Sequence, residues 1–199
     1  MGKTMDKTQK ITRTALILAL TLTVQLLRFP QPITGPVINT LLLLTVMLIG
    51  PGEAIIIGCL TPGIAWIVGI LPPVLGPLVP FIMLANALFC VVFFQFFRIS
   101  PENNGLPLTA SHERFRCKLR PLATLALGAV LAAFAKFGLL WWVSQSLVDY
   151  LYQLGWLKAP IPPLVLITFQ LPQLYSALTG GALTLLLYAY LSHKLVSRK

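Results

Sequence analysis

Long apolar runs separated by proline-rich breaks dominate this sequence, and they restrict the chain to a membrane-embedded helical fold. Hydrophobic residues occupy 57% of the 199 positions and charged residues 10%, against about 25% charged residues in an ordinary soluble domain. A soluble domain this apolar could not cover its own surface, whereas a bilayer solvates apolar helices. The sequence therefore predicts an all-α integral membrane protein, with one transmembrane domain over residues 1–199.

The spacing of the breaks predicts six transmembrane helices, because each span needs about 20 apolar residues. The first apolar run resembles a signal peptide, but it is long and no small-residue cleavage site follows it, so we interpret it as a retained helix. Three prolines within residues 29–36 predict a break there, which leaves a second helix that is short for a full span. The predicted helices cover residues 11–28, 37–49, 54–71, 78–97, 121–148 and 164–191.

Basic residues cluster beside the apolar runs, and their placement predicts the orientation. The net charge is +10, and twelve of the fifteen basic residues lie at the N-terminus, in the loop 98–120 or at the C-terminus. Because basic loops stay in the cytoplasm, we expect both termini inside, which requires an even number of spans. Anionic lipid headgroups could also bind these clusters. We therefore interpret the basic clusters as residues that face the membrane surface, and not as a nucleic-acid-binding site.

Polar residues within the predicted helices lie at one depth. Counted at about 1.5 Å per residue, those of helices 1, 2, 4, 5 and 6 fall in the outer half of the bilayer, while the inner halves are almost wholly apolar. This pattern predicts a ligand pocket that opens to the outside and is closed below. With two aromatic residues that could stack on a ring, the candidate substrate-binding residues are Gln25, Asn39, Trp66, Asn86, Lys136, Gln170, Gln173 and Tyr175.

Lys136 is the most informative candidate, since the sequence places no Asp or Glu at the same predicted depth in the bilayer. One hypothesis is that a carboxylate or phosphate of a ligand supplies its counter-ion. The alternatives are that Lys136 snorkels outward, is neutral, or bonds backbone carbonyls. Similarly, the Asn and Gln residues could serve as interhelical contacts, and the aromatic residues as core or interface.

Enzymatic and cofactor functions find no support in the sequence. The two histidines are placed on the cytoplasmic side, the five acidic residues are scattered, and there is no HExxH or phosphate-binding loop. The three cysteines have no metal-binding spacing, and we interpret them as structural. We therefore expect no catalytic residues, no cofactor and no metal.

Ala15 and Ala19 lie four residues apart on one face of helix 1, a spacing that lets another helix approach closely. A turn with the sequence Gly-Pro-Gly-Glu-Ala occupies residues 50–54 and is followed by Gly58. With six helices, basic cytoplasmic ends and a Pro/Gly-rich first outer loop, the chain resembles the substrate-binding S component of energy-coupling factor (ECF) vitamin transporters.

This resemblance implies a function. An S component captures a vitamin or related micronutrient in an outward pocket, associates with a transmembrane coupling subunit and two cytoplasmic ATPases, and releases the ligand inside. Ala15 and Ala19 would contact the coupling subunit, and the chain would reside in a bacterial plasma membrane. The metal-binding N-terminal residues of nickel and cobalt relatives are absent. A stand-alone secondary transporter and a non-transport membrane scaffold remain as alternatives.

Overall fold

All the regular structure in the described part of the chain is helical. A computed structural model describes residues 6–99, 122–155 and 163–197. The helices are α1 (Lys7–Leu26), α2 (Gln31–Leu48), α3 (Pro51–Ile67), α4 (Val79–Ile99), α5 (Leu122–Trp142), α6 (Val148–Gln153) and α7 (Pro163–Ser197). A 3₁₀ turn, Pro73–Leu78, leads into α4, and a π-helical turn, Val143–Leu147, joins α5 to α6.

Within residues 6–99, 122–155 and 163–197, four helical segments are long and apolar enough to cross a bilayer. They are Gln31–Leu48, Leu75–Ile99, Leu122–Ser146 and Gln170–Leu191, and Pro51–Ile67 is a shorter apolar helix. The predicted helical membrane protein is therefore confirmed at this level. Helix α1 is 20 residues long, but its first two turns carry Lys7, Lys10 and Arg13, so its apolar portion is shorter than a full span.

The predicted break before the second helix is wrong in its extent. Helix α2 begins at Gln31, so Pro32 lies in its first turn and Pro36 lies inside it. Proline is tolerated in a first turn because the N–H groups there have no intrahelical acceptor. The break itself is confined to the few residues after α1, where Arg28 adopts a positive φ of 53°. As a result α2 has 18 residues, more than the predicted helix 37–49, and it is long enough to span a bilayer.

The other bounds differ from the prediction in smaller ways. Helix α3 begins at Pro51, inside the predicted turn, because Gly50 makes the turn with a φ of 150° and Pro51 suits the first helical position. The predicted helix 121–148 becomes α5, the π-helical turn and α6. Helix α7 has 35 residues, a length of about 52 Å. It therefore exceeds a hydrocarbon core about 30 Å thick.

The core lies where α2, α3, α4, α5 and α7 meet, with α1 packed against α2 and α3. Phe89 and Phe93 of α4 and Leu42 and Leu43 of α2 are fully buried there, together with small residues of α5 such as Ala132. Because lipid is as apolar as these side chains, packing density and hydrogen bonds hold such helices together. Small residues at the contacts are therefore essential.

Helices α2 and α7 approach each other closely. A Cβ atom placed on Gly180 would lie 2.7 Å from Cβ of Asn39 and 2.9 Å from the carbonyl oxygen of Pro36. A Cβ atom on Gly35 would lie 2.6 Å from Cβ of Ser176. All three distances are shorter than the contacts that Cβ atoms make in real proteins. The two glycines therefore set the distance between these helices.

We expect Gly180→Ala to lower the free energy of unfolding by about 1–3 kcal/mol, since the added methyl group would overlap the α2 backbone. Thermal unfolding of the purified protein in detergent measures this effect. The matched control is Gly138→Ala in α5, where nothing lies within 4 Å of the added Cβ. This control should gain roughly 0.5–1 kcal/mol from the higher helix propensity of alanine. Equal unfolding temperatures for the two variants would contradict the assignment.

Candidate functional site

Lys136 lies in the protein interior and points to α2 and α4. Its side chain is 2% exposed, and its Nζ donates a hydrogen bond to Oδ1 of Asn39 at 2.9 Å. The same Nζ lies 5.4 Å from the ring centroid of Phe89, over the ring face. This arrangement suits an ammonium group, which is attracted to an aromatic face. Lys136 does not snorkel to the surface, and its described polar partner is a side-chain amide.

Asn39 connects Lys136 to α7. Its Nδ2 donates to the carbonyl oxygen of Gly35 at 3.0 Å and to Oγ of Ser176 at 3.2 Å. Ser176 in turn donates to the carbonyl oxygen of Gln173 at 3.0 Å. Side chains of α5, α2 and α7 therefore form one connected group. We call Lys136, Asn39 and Ser176 the polar junction.

A second polar contact joins the C-terminal end of α5 to α7. Gln170 is 1% exposed, and its Nε2 donates to Oγ of Ser144, which itself donates to the carbonyl oxygen of Trp141 at 2.7 Å. Ser144 lies in the π-helical turn, an irregularity that is frequent at functional sites. The Oε1 atom of Gln170 is buried and has no hydrogen-bond partner. This contact therefore leaves a buried acceptor unused.

Asn86 makes a different kind of contact, between α4 and α3. Its Nδ2 donates to the carbonyl oxygen of Gly58 at 2.8 Å. In a regular helix that carbonyl would accept from the N–H four residues later, but this position is Pro62, which has no N–H. Asn86 therefore replaces the missing backbone donor. Gly58 allows the close approach, since an added Cβ would lie 3.1 Å from Cβ of Asn86.

Gln25 attaches α1 to α3 in a similar way. Its Nε2 donates to the carbonyl oxygen of Thr61 at 3.0 Å, and its Oε1 is buried without a partner. At the opposite end of α1, Lys10 forms an ion pair with Glu53 at 2.6 Å. The polar contacts of α1 thus hold it to α3 at two levels.

The two aromatic candidates do not lie among the buried polar residues. Trp66 is 48% exposed, and its ring covers Gly76 in the 3₁₀ turn, whose added Cβ would lie 2.7 Å from the indole nitrogen. Tyr175 is 54% exposed. It follows Gln170 by five residues, so it points to a nearly opposite side of α7. There it lines an apolar groove of about 390 Å³ between α2 and α7, with Pro32, Ile33, Pro36, Val37, Thr179, Ala182 and Leu183.

The charges around Lys136 are unbalanced. Lys136 forms no ion pair with any carboxylate whose side chain the structure describes, and it is the one buried base among those side chains. The described residues also contain no group of three or more His, Cys, Asp or Glu that could hold a metal ion. Chemically, this region offers an ammonium donor, amide groups and hydroxyl groups.

The structure brings together part of the predicted set. Asn39 and Lys136 are in direct contact, and Gln173 and Gln170 lie on the same side of α7, toward the junction and the π-helical turn. Asn86 and Gln25 bond other helices, as the interhelical alternative predicts. Sequence reasoning missed Ser176 as a member of the junction. Its spacing of three residues after Gln173 and four before Gly180 is the signal that could have indicated it.

No protein-family model, no curated protein and no solved structure matches this chain.

We expect Asn86→Leu to lower the free energy of unfolding by about 1–3 kcal/mol, because the Gly58 carbonyl would then be buried without a donor. In the double variant Asn86→Leu/Pro62→Ala, the new N–H at position 62 supplies that donor, so part of the loss should be recovered. Unfolding of both single variants and the double variant in detergent measures this coupling. Strict additivity of the two substitutions would contradict the assignment.

Proposed function

We propose that this protein is the substrate-binding S component of an ECF-type importer in a bacterial plasma membrane. In this proposal the chain captures a small vitamin-like molecule from the outside. A transmembrane coupling subunit and two cytoplasmic ATPases then complete its uptake. The observation that carries the proposal is a face of small residues on α1 that the described residues of the other helices leave exposed.

The small face of α1 suits a close helix–helix contact. Thr12, Ala15, Ala19 and Thr23 are all exposed. The hydroxyl of Thr12 donates to the carbonyl of Thr8 at 2.9 Å, and the hydroxyl of Thr23 donates to the carbonyl of Ala19 at 2.8 Å. The threonines therefore present no unsatisfied donor to a neighbour. A second helix can approach such a surface closely, and dispersion forces then stabilise the contact.

The position of α1 supports the same role. This helix packs on α2 and α3 with one side, through buried Thr21 and Gln25. Its other side bears Ala15 and Ala19 beside the exposed Leu16 and Leu20. A peripheral helix of this kind can bind a partner subunit without disturbing the core at α2, α3, α4, α5 and α7.

The proposed topology has six spans with both termini in the cytoplasm. The four membrane-length segments, the shorter α3 and the peripheral α1 would make up these spans. The basic residues of α1 and the ion pair between Lys10 and Glu53 then lie at the cytoplasmic surface. The polar junction lies toward the outside, where a substrate would enter.

Substitution of the small face should abolish assembly. We expect Ala15→Trp and Ala19→Trp each to reduce co-purification of the coupling subunit and ATPases with the tagged chain by about tenfold or more, since an indole prevents close helix contact at an expected cost above about 1.4 kcal/mol. The measurement is quantitative immunoblotting or mass spectrometry of the affinity-purified complex.

Two controls make that result specific. Ala19→Ser keeps the residue small and should preserve assembly. Leu186→Trp adds the same bulk at an exposed position of α7 and should also preserve it. The proposal fails if no coupling subunit co-purifies with the wild-type chain, or if the α1 tryptophan variants assemble normally.

The topology has its own test. A green fluorescent protein fused after Lys199 should fluoresce, because that reporter folds in the cytoplasm, and alkaline phosphatase at the same position should be inactive. Phosphatase fused after Gly155, in the connection before α7, should be active. An active phosphatase at the C-terminus would rule out six spans with an internal N-terminus.

The two alternatives differ from the proposal in observable ways. A stand-alone secondary transporter would move its substrate in vesicles without ATPases, and a scaffold would bind no small molecule. Reconstitution of the chain alone and together with its co-purified subunits distinguishes them. Uptake that requires the ATPases supports the S component.

A further inference from the structure

We infer that the polar junction, together with Gln170, forms a binding site for a small carboxylate that also carries an N–H or O–H donor at its other end. This inference rests on the proposed function and specifies the class of its substrate. It is drawn from two buried groups whose hydrogen-bonding capacity is unused, one a donor and the other an acceptor.

The donor is Lys136. An ammonium group has three N–H donors, and the described partners of Lys136 are Oδ1 of Asn39 and the face of Phe89. Asn39 is held in turn by Gly35 and Ser176. Asn39 therefore positions the ammonium group and leaves donors for a further acceptor. A carboxylate is the acceptor that gains most, because its hydrogen bonds with an ammonium group are charge-assisted.

The positive charge of Lys136 favours a ligand that carries one negative charge. Lys136 is the one buried base among the described side chains, so the interior provides a single positive charge to compensate an anion. A carboxylate carries one charge, whereas a phosphate monoester carries close to two at neutral pH. A second negative charge in the interior would have no partner there, at a high desolvation cost.

The acceptor is Oε1 of Gln170. This atom is buried without a partner, while Nε2 of the same amide is engaged by Ser144. A buried carbonyl oxygen without a donor is unfavourable, and an N–H or O–H group of a ligand would satisfy it. Because the amide is fixed by Ser144, the free oxygen has a defined orientation.

The two groups lie at different levels along the helices. Ser176, which belongs to the junction, follows Gln170 by six residues, and Ser144 follows Lys136 by eight. Both spacings correspond to a separation on the order of 10 Å along the helices. Gln173 lies midway on the same side of α7. The substrate therefore carries its carboxylate and its donor at opposite ends of an elongated molecule.

The test is an enrichment experiment with the full-length chain in detergent. The probe is the protein-free metabolite extract of the source bacterium, and mass spectrometry identifies the compounds that the protein retains after dialysis. A second portion of the extract is first treated with methylamine and a carbodiimide, which convert carboxylates to neutral amides. We expect the wild type to retain a carboxylate with a distal donor, and this compound to be lost from the amidated extract.

Variants connect the retained compound to the site. Lys136→Met should lower its retention by about tenfold or more, as expected for a lost hydrogen bond to a charged group, and Lys136→Arg should retain more than Lys136→Met. Asn39→Asp places a competing carboxylate beside Lys136 and should also lower retention. An interhelical role alone would not produce this effect, because an Asp–Lys pair also joins the helices. Leu131→Met, on the exposed side of α5, is the matched control and should bind as the wild type does.

Each other outcome overturns the inference. It fails if nothing is retained, if the retained compound is neutral or a phosphate and survives amidation, or if Lys136→Met and Asn39→Asp bind normally. Where Lys136→Met does not elute as a folded monodisperse protein, Asn39→Asp decides. A retained neutral compound leaves the proposed S component intact, whereas carboxylate binding without any coupling subunit refutes the proposed importer alone.

Discussion

The hydrogen bonds of Asn39 depend on the close contact between α2 and α7, and much of the interior depends on Asn39. Gly35 and Gly180 bring the two helices near enough for the Asn39 amide to reach Ser176 and, on its other side, Lys136. No water is available at that depth to satisfy polar groups, so each must find its partner on a neighbouring helix. The position of three helices is therefore fixed by one residue and two glycines.

The need to satisfy buried polar groups also explains a side-chain contact beside a proline. Pro62 removes a backbone donor inside α3, and Asn86 of α4 supplies the replacement for the Gly58 carbonyl. The single hydroxyl hydrogen of Thr40 is shared between the carbonyl oxygens of Pro36 and Gly180, at 2.8 and 3.1 Å, where α2 and α7 meet. Irregular backbone in this protein is thus accompanied by a side-chain contact that orients two helices.

Incomplete hydrogen bonding marks several buried polar groups, among them one oxygen each of Gln25 and Glu53. Lys136 has a neutral amide as its described polar partner, and Gln170 keeps an unpartnered oxygen. Asn86, in contrast, serves a helix contact that is complete without a ligand. The buried polar residues therefore differ in how much of their hydrogen-bonding capacity is used, and the unused capacity of Lys136 and Gln170 is where a substrate would gain binding energy.

Composition and charge by themselves determined that this is a helical membrane protein, because apolar runs of this length have few stable alternatives. They also indicated that Asn39, Lys136 and Gln170 share a depth, since the rise of a helix converts residue number into distance. The tertiary structure decided the rest. The sequence predicted a helix break at Pro32 and Pro36, but both residues lie in α2, because neighbouring helices and first-turn geometry tolerate proline. Rotation about each helix axis, which depends on packing between helices, placed Ser176 in the junction and turned Trp66 and Tyr175 outward.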